Sequence, residues 1–173
     1  MSRLDGEVSR QQRMKRWVQT YGDVILRTCY MYLSNLQDAE DAMQDTFLKA
    51  WKAMDQFEGR NGAQEKTWLM KIAINVCHDL HRSKWFRYVN QEKALEDLPG
   101  RYLLTQPEDR TLFLDILRLP EKLKQAILLY YYQEMTLQEA ADVLGVSASA
   151  VHRRMKKAEK LLKTTWTGGD DNA

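Results

Sequence analysis

Apolar residues recur every three or four positions along most of the chain, which is the spacing of helices that bury one face. The first predicted helix runs from Gln12 to Leu33. The second runs from Leu36 to Phe57, after Ser34 and Asn35, which can cap it. A loop over residues 58–64 separates it from a third helix, Thr67 to Trp85. The predicted buried stripes are Trp17, Tyr21, Ile25, Thr28 and Tyr32, then Ala39, Met43, Phe47, Ala50, Met54 and Phe57, then Leu69, Ile72, Ala73, Val76 and Leu80.

The periodic pattern stops between Val89 and Glu108, where Pro99-Gly100 and Pro107 interrupt the chain. Four further helices are predicted beyond it, over residues 109–117, 121–132, 136–144 and 147–166, with breaks at Leu119-Pro120 and Gly145. Strand patterns are almost absent. The sequence therefore predicts an all-α fold with two small helical domains, residues 10–88 and 109–166. A linker over residues 89–108 joins them, and residues 167–173 are predicted to be a disordered tail.

Composition narrows the class of protein. Of the 173 residues, 44% are hydrophobic and 29% are charged, and no apolar run approaches the length needed to span a bilayer. The first residues lack the apolar stretch of a secretory signal, so we expect a cytoplasmic protein. The two cysteines, Cys29 and Cys77, fall in apolar helical patterns and are predicted to be reduced, buried thiols.

The charges are segregated along the chain, although the net charge is only +2. The segment from Leu36 to Glu58 contains six acidic residues and only two lysines. Two basic blocks follow. The segment from Lys66 to Tyr88 contains five basic residues and one acidic residue, and the segment from Gly145 to Trp166 contains six basic residues and one acidic residue. Two separate basic blocks indicate two contacts with a polyanion, and the acidic block indicates a basic partner. The simpler alternative for each block is a solvated helix face.

The segment from Thr136 to Arg154 has the pattern of a helix-turn-helix. Thr136 and Glu139 form a capping box, Gly145 supplies the positive φ that ends the first helix, and Ser147 caps the second. The second helix can enter a major groove with its N-terminal turns. The predicted base-facing residues are Ala148, Ser149, His152 and Arg153, and the predicted phosphate-contacting residues are Arg154, Lys156, Lys157 and Lys160. The alternative is a helical hairpin with a solvated basic face.

The helix from Leu36 to Phe57 carries a second face beside its core stripe. Leu48 and Trp51 lie there among carboxylates, which is typical of an interface. Ordinary core packing of both residues is the alternative. The members of this face are Gln37, Glu40, Asp41, Gln44, Asp45, Leu48 and Trp51.

The third predicted helix interleaves bases with aromatic and amide groups, a combination suited to single-stranded DNA. Its candidate residues are Trp68, Lys71, Asn75, His78, Arg82, Trp85, Phe86, Arg87 and Tyr88. The preceding loop, with Asn61 and Gly62, could close over a flipped base. Several of the aromatics, Trp68 above all, could belong to the core instead.

Candidate catalytic or metal chemistry is sparse. Cys77, His78 and His81 are adjacent in sequence, but on a helix His78 points away from the other two, and no second ligand pair follows at zinc-site spacing. Phosphate-cradling glycine loops and nucleophile elbows are lacking. The sequence therefore predicts neither an enzyme nor a metal or cofactor site.

In order along the chain, these motifs resemble the extracytoplasmic-function (ECF) group of the sigma-70 family, from about Trp17 to Leu162. The N-terminal resemblance rests on Asp38-Ala39-Glu40-Asp41, Gln44-Asp45, Phe47, Ala50-Trp51, Phe57, Thr67-Trp68-Leu69, Ile72-Ala73-Ile74-Asn75 and Asp79. The C-terminal resemblance rests on Leu119-Pro120-Glu121, Glu139-Ala140-Ala141, Leu144-Gly145-Val146-Ser147, Val151 and Lys157-Ala158. The two domains would correspond to sigma regions 2 and 4.

The resemblance implies a promoter-specificity factor for RNA polymerase that is monomeric when free and acts in a stress or envelope response. Region 2 would dock on the β′ clamp helices and melt the minus-ten element. Region 4 would read the minus-thirty-five element beside the β flap, and the linker would run toward the RNA exit path. An anti-sigma factor, often membrane-bound in this family, would cover these surfaces.

Each implied function is assigned to a set of residues. The core-polymerase set is Asp38, Asp41, Gln44, Asp45, Leu48 and Trp51. The minus-ten set is Asn61, Gly62, Lys66, Trp68, Lys71, Asn75, His78 and Arg82. The minus-thirty-five set is Ser147, Ala148, Ser149, His152, Arg153, Arg154, Lys156 and Lys157.

Departures from the family pattern leave promoter preference open. Ala140 or Ala141 stands where the family usually has isoleucine, Ser149-Ala150 replaces the usual glycine-threonine, and the loop from Glu58 to Lys66 lacks an aromatic. Two other functions compete with the sigma assignment. An autonomous helix-turn-helix regulator should be dimeric, and a nucleic-acid enzyme should hold clustered metal-binding carboxylates.

Overall fold

The computed structural model describes residues 3–57, 62–84 and 114–167, and the regular structure in these ranges is helical, as predicted. The N-terminal helices are α1 (Arg3–Leu33), α2 (Leu36–Lys52) and α3 (Gly62–Lys84), with a 3₁₀ turn at Met54–Gln56. The C-terminal helices are α4 (Glu121–Ile127), α5 (Leu137–Leu144) and α6 (Ala148–Thr167), with a π-helical turn at Leu128–Tyr132. Across the described ranges, no helix is long and apolar enough to cross a membrane. The predicted linker (89–108) and all but the first residue of the predicted tail lie outside the described residues.

Helix α1 begins at Arg3, upstream of the predicted start at Gln12. Its first turns are polar, and Leu4 and Val8 there are 77% and 51% exposed. Because these turns bury little apolar surface, hydrophobic periodicity gives no signal for them. Farther along, the stripe from Trp17 to Tyr32 is buried as predicted and packs against α2 and α3.

Helix α2 begins as predicted, because the Asn35 side chain accepts a hydrogen bond from the Asp38 backbone N–H at 2.9 Å. It ends at Lys52, so the predicted end at Phe57 is wrong. The 3₁₀ turn that follows buries Met54 and brings the Phe57 ring edge-on to Trp17, with 5.8 Å between ring centroids. The apolar stripe continues through a change of helix type, which spacing alone does not reveal.

Helix α3 begins at Gly62 rather than at the predicted Thr67, so the end of the predicted loop is helical. The Arg16 guanidinium of α1 donates two hydrogen bonds to the Glu65 carboxylate in the first turn of α3, at 2.5 and 2.9 Å. The Tyr21 hydroxyl donates a third at 3.2 Å. These bonds, the Arg16 bonds above all, lower the pKa of Glu65 to about 2. These hydrogen bonds connect the first turn of α3 to α1.

The C-terminal helices follow the predicted breaks. Residues 114–117 are helical, and the chain turns at Pro120 into α4. The predicted helix over residues 121–132 is continuous, but its last five residues form the π-helical turn. Helix α4 packs against α6, and α5 packs against α6.

The two sets of helices also pack against each other, which the sequence did not predict. Helix α3 lies against α5, and α4 lies against the C-terminal end of α1. Lys124 Nζ donates a hydrogen bond to the Tyr32 carbonyl oxygen at 3.0 Å, and Gln133 Nε2 donates one to Thr28 Oγ1 at 2.7 Å. Hydrophobic periodicity carries no information about such polar contacts between distant segments.

Candidate nucleic-acid and partner interfaces

Local hydrogen bonds fix the turn between α5 and α6. Thr136 Oγ1 accepts a hydrogen bond from the Glu139 N–H at 3.1 Å, and the Glu139 carboxylate accepts one from the Thr136 N–H at 2.8 Å. Gly145 ends α5 at φ +66°, and Ser147 Oγ accepts a hydrogen bond from the Ala150 N–H at 3.1 Å. The predicted caps are confirmed, and they produce a helix-turn-helix.

Helix α6 separates an anchoring face from a basic face. Val151, Met155 and Ala158 are buried against the other C-terminal helices. The minus-thirty-five set is mostly exposed: Ser147, Ser149, His152, Arg153, Lys156 and Lys157 are exposed, and Ala148 and Arg154 are half-buried. A rigid helix with exposed cations at its N-terminal half is suited to a DNA groove.

The acidic residue on α6, Glu159, is engaged within the protein. The Tyr131 hydroxyl donates a hydrogen bond to its carboxylate at 2.6 Å, and Lys156 Nζ lies 3.5 Å from it. The hydrogen bond from Tyr131 is the main reason that the pKa of Glu159 is lowered. Sequence reasoning missed Tyr131, which connects α6 to the π-helical turn.

The acidic face of α2 exposes an apolar residue, as predicted. The Leu48 side chain is 58% exposed. Asp41, Gln44 and Asp45 are exposed around it, and Trp51 is half-buried. Asp38 lies elsewhere, because at 1% exposure in the first turn of α2 it is inside the protein. Five of the six residues in the predicted polymerase-binding set therefore reach the surface.

Leu48 and Trp51 border an apolar groove between α1 and α2. The groove has a volume of about 580 Å³, and it is lined by Met14, Val18, Met43, Gln44, Phe47, Leu48 and Trp51. Sequence reasoning missed Met14 and Val18, which α1 contributes from across the groove. Two of the seven lining residues therefore cannot be found from the sequence of α2 alone.

Arg10 of α1 positions the Trp51 end of the groove. Its guanidinium lies 4.9 Å from the centroid of the Trp51 ring and donates hydrogen bonds to the Trp51 carbonyl oxygen at 2.9 Å and to Asp55 at 2.5 Å. These contacts hold Trp51 of α2 against the N-terminal part of α1. Sequence reasoning missed Arg10 because it lies upstream of the predicted helix.

Some members of the minus-ten set on α3 are exposed, and others contact residues of the C-terminal part of the chain. Lys71, Asn75 and Arg82 are exposed. Lys66 Nζ instead donates a hydrogen bond to the Gln133 carbonyl oxygen at 3.0 Å, and His78 Nδ1 lies 2.8 Å from a Glu121 carboxylate oxygen. Gly62 is the first residue of α3, and Asn61 and the aromatics from Trp85 to Tyr88 lie outside the described residues.

Trp68 belongs partly to the core. Its ring centroid lies 5.6 Å from that of Trp17 and 5.0 Å from that of Phe57, and the side chain is half-buried. The Arg13 guanidinium covers this cluster, 5.6 Å from the Trp17 ring centroid. The position of Trp68 is thus set by core packing, and only part of its ring is open to a ligand.

The thiols lie in the core, as predicted. Cys29 and Cys77 are free and fully buried, and burial raises the pKa of Cys77. His78 points toward Glu121. Among the residues that the structure describes, no group of three or more histidine, cysteine or acidic side chains could hold a metal ion.

Two family models match the chain, Sigma-70 region 2 over residues 17–87 and Sigma-70, region 4 over residues 116–162. The ECF RNA polymerase sigma factor SigW of Bacillus subtilis is 30% identical over 162 residues, which cover 84% of each chain. This chain is a member of the ECF group of the sigma-70 family. Sigma factors are promoter-specificity subunits of RNA polymerase and not enzymes, so the nucleic-acid enzyme and the autonomous regulator are rejected.

Other comparisons with this sigma factor agree. The RNA polymerase sigma factor YlaC of Bacillus subtilis is 29% identical over 85% of this chain and 88% of its own. CnrH, solved in complex with the cytosolic domain of CnrY, matches with a TM-score of 0.68 and 24% identity over 91% of this chain and 90% of its own. The sigma factor RpoE from Bartonella quintana, solved with the anti-sigma factor NepR, matches with a TM-score of 0.72. It is 22% identical, and the match covers 90% of this chain and 98% of its own. The two structures show likeness of fold.

Proposed function

We propose that this sigma factor divides promoter recognition among three surfaces: the α1–α2 groove binds core RNA polymerase, α3 engages the minus-ten element, and α6 reads the minus-thirty-five element. The observation that carries the proposal is that exposed Leu48 among carboxylates and the exposed basic face of α6 lie on separate elements. Each surface has the chemistry of a different partner.

The groove has the shape and charge expected for a basic, amphipathic helical partner. Leu48 and Trp51 offer apolar anchors, and Asp41 and Asp45 supply negative charge around them. The β′ clamp helices of core polymerase are the proposed partner. Asp38, being buried, would support α2 from within rather than contact that partner.

The exposed stripe of α3 supports the minus-ten assignment. Lys71 and Arg82 can follow phosphates, and the Asn75 amide can hydrogen-bond to an unpaired base. Half-buried Trp68 offers one edge for stacking. Asn61 remains the proposed reader of a flipped base from the segment before α3.

The N-terminal turns of α6 support the minus-thirty-five assignment. His152 and Arg153 are exposed on the turns that would enter the groove, and Lys156 and Lys157 extend the basic face toward the phosphates. Since Ala148 and Ser149 have short side chains, base readout would depend mainly on His152 and Arg153. The β flap is the proposed polymerase contact of this domain.

Control by an anti-sigma factor is also proposed. CnrH was solved with the cytosolic domain of CnrY, and the Bartonella quintana factor was solved with NepR. An anti-sigma segment with an apolar helical face would fit the α1–α2 groove and compete there with core polymerase. We propose a cytoplasmic monomer that responds to stress or to the cell envelope in this way.

Paired variants test the docking surface. Leu48→Asp puts a charge on the lining of the groove, and Leu4→Asp makes the same change at an exposed leucine outside it. We expect Leu48→Asp to weaken binding to core polymerase by roughly tenfold or more and Leu4→Asp to have little effect. Fluorescence anisotropy with labelled protein measures both. Equal affinities of the two variants would reject the groove as the docking site.

A further inference from the structure

The methionines of this sigma factor are divided between the core and a single surface groove. The chain has eight methionines, and the structure describes all of them except Met1. Five of the described methionines are buried, with exposures of 7% or less. The other two, Met14 and Met43, are partly exposed, and both line the α1–α2 groove. The buried five are Met31, Met54, Met70, Met135 and Met155.

The two groove methionines lie on different walls. Met14 belongs to α1 and Met43 to α2, the two helices that pack together to form the groove. Both side chains also pack against the buried core. They share the lining with Leu48 and Trp51, the proposed apolar anchors for core polymerase. A partner that fills the groove therefore meets a thioether from each wall.

A thioether that oxidants can reach is a site of reversible chemistry. Unmodified methionine is apolar and flexible, so it adapts to the apolar face of a partner helix. Hydrogen peroxide transfers one oxygen atom to the sulfur, so that the thioether becomes a sulfoxide and the peroxide leaves as water. Methionine sulfoxide reductases return the thioether, releasing the oxygen as water while a dithiol is oxidised to a disulfide.

The cysteines, which would otherwise compete for the oxidant, are protected. Cys29 and Cys77 are free, and both are fully buried between the helices. Burial also raises the pKa of Cys77, so its reactive thiolate form is rare at neutral pH. Exposure therefore favours oxidation at Met14 and Met43 over oxidation at the thiols or at the buried methionines.

A sulfoxide would affect docking more than folding. In the free protein, its oxygen can be hydrated because both side chains are partly exposed. When a partner covers the groove, that water is lost, and Gln44 is the only polar residue in the lining that could replace it. Covering a polar group without a replacement hydrogen bond is unfavourable. Oxidation should therefore weaken binding in the groove while leaving the fold intact.

We propose that Met14 and Met43 form a reversible oxidation site, at which conversion of the two thioethers to sulfoxides lowers the affinity of the groove for core polymerase. Methionine sulfoxide reductase restores the affinity. The change in affinity rests on the proposed function, because it requires the groove to be the docking site. The selectivity of oxidation rests only on which side chains are exposed.

Peptide mass spectrometry tests the selectivity. The folded protein is exposed to hydrogen peroxide for set times, the reaction is stopped with catalase, and sulfoxide is quantified at each described methionine. We expect Met14 and Met43 to react at least about tenfold faster than the buried five, while both thiols remain reduced. In urea, all seven should react at similar rates. Similar rates in the folded protein, or loss of the thiols before sulfoxide forms, would overturn the proposal.

Binding to core polymerase tests the consequence, with the oxidant removed before core enzyme is added. Fluorescence anisotropy should show affinity at least about fivefold weaker after oxidation and restored by methionine sulfoxide reductases A and B with dithiothreitol. The matched control is the double variant Met14→Leu, Met43→Leu, which conserves side-chain volume. It should bind equally well before and after peroxide. Because this variant retains Met1, equal loss of affinity in both proteins would place the effect elsewhere and refute the site.

A second double variant, Met14→Gln with Met43→Gln, introduces polar groups at the same positions without oxidant. It should weaken binding as oxidation does, and its thermal melt should match that of the unaltered chain. Affinity lost only through a lower melting temperature would contradict the proposal. Leu48→Asp separates the two levels of inference. If Leu48→Asp weakens binding and the sulfoxides do not, the oxidation site is rejected and the docking site stands. If neither weakens binding, the docking site itself is rejected.

Discussion

The Arg16–Glu65 pair, which joins α1 to the start of α3, predicts an acid-dependent loss of stability. The perturbation is Glu65→Gln, which keeps the size of the side chain and removes its charge. In the folded protein the carboxylate accepts two hydrogen bonds from Arg16 and one from Tyr21, and its side chain is only 9% exposed. The substitution therefore tests the charge of the pair more than its packing.

The magnitude follows from the pKa. A decrease from the ordinary value of 4.5 to about 2 corresponds to an upper bound of about 3 kcal/mol in the free energy of unfolding. The Arg16 side chain is 52% exposed, so solvent screens the pair, and we expect about 1–2 kcal/mol at pH 7. Because the folded pKa is the lower one, this stability is present above pH 4.5 and is lost as the pH falls toward 2.

Urea unfolding followed by circular dichroism between pH 7 and pH 2.5 measures the effect. The free-energy difference between the unaltered protein and Glu65→Gln should be largest at neutral pH and should shrink below pH 4.5. Glu40→Gln, on the exposed surface of α2, provides a control with little expected effect at any pH. A difference between the unaltered protein and Glu65→Gln that stays constant down to pH 2.5 would show that the charge of Glu65 does not stabilise the fold.

Three further predictions concern the proposed surfaces. Gly145→Ala should reduce the free energy of unfolding by about 1 kcal/mol, which urea unfolding measures. Backbone strain is the expected cause, because φ at Gly145 is +66° and an added Cβ would meet no atom within 4 Å. Arg153→Ala should weaken promoter duplex binding by about 1–3 kcal/mol in a sequence-dependent manner, whereas Lys157→Ala should weaken binding to all duplexes similarly. Fluorescence anisotropy on a promoter duplex and on a scrambled duplex distinguishes the base contact from the phosphate contact. Arg10→Ala should reduce affinity for core polymerase without unfolding the protein, because it frees the Trp51 ring; core binding and a thermal melt together check this.

Local signals accounted for most of the helix boundaries that were predicted correctly. Asn35, Thr136 with Glu139, Gly145 and Ser147 act on backbone groups within four residues, so their effect can be read from the sequence. The end of α2 was missed for a related reason. The 3₁₀ turn keeps Met54 and Phe57 on the core side, so the apolar spacing stays helical although the helix has ended.

Contacts between distant segments account for what was missed. Arg10 reaches Asp55, and Tyr32 reaches Glu121, across 45 and 89 residues. Arginine, tyrosine and glutamate are common on helix surfaces, and sequence periodicity does not say which of them meet. The same limit applies to the groove, where α1 adds Met14 and Val18 to a surface formed mainly by α2.

Run-off transcription with RNA polymerase core enzyme on genomic fragments tests the central claim most directly, with Leu48→Asp and Leu4→Asp as paired variants. The account predicts discrete start sites that share a two-part upstream motif, lost with Leu48→Asp and retained with Leu4→Asp. Core enzyme that stays inactive, while this chain alone retards specific duplex DNA, would contradict it.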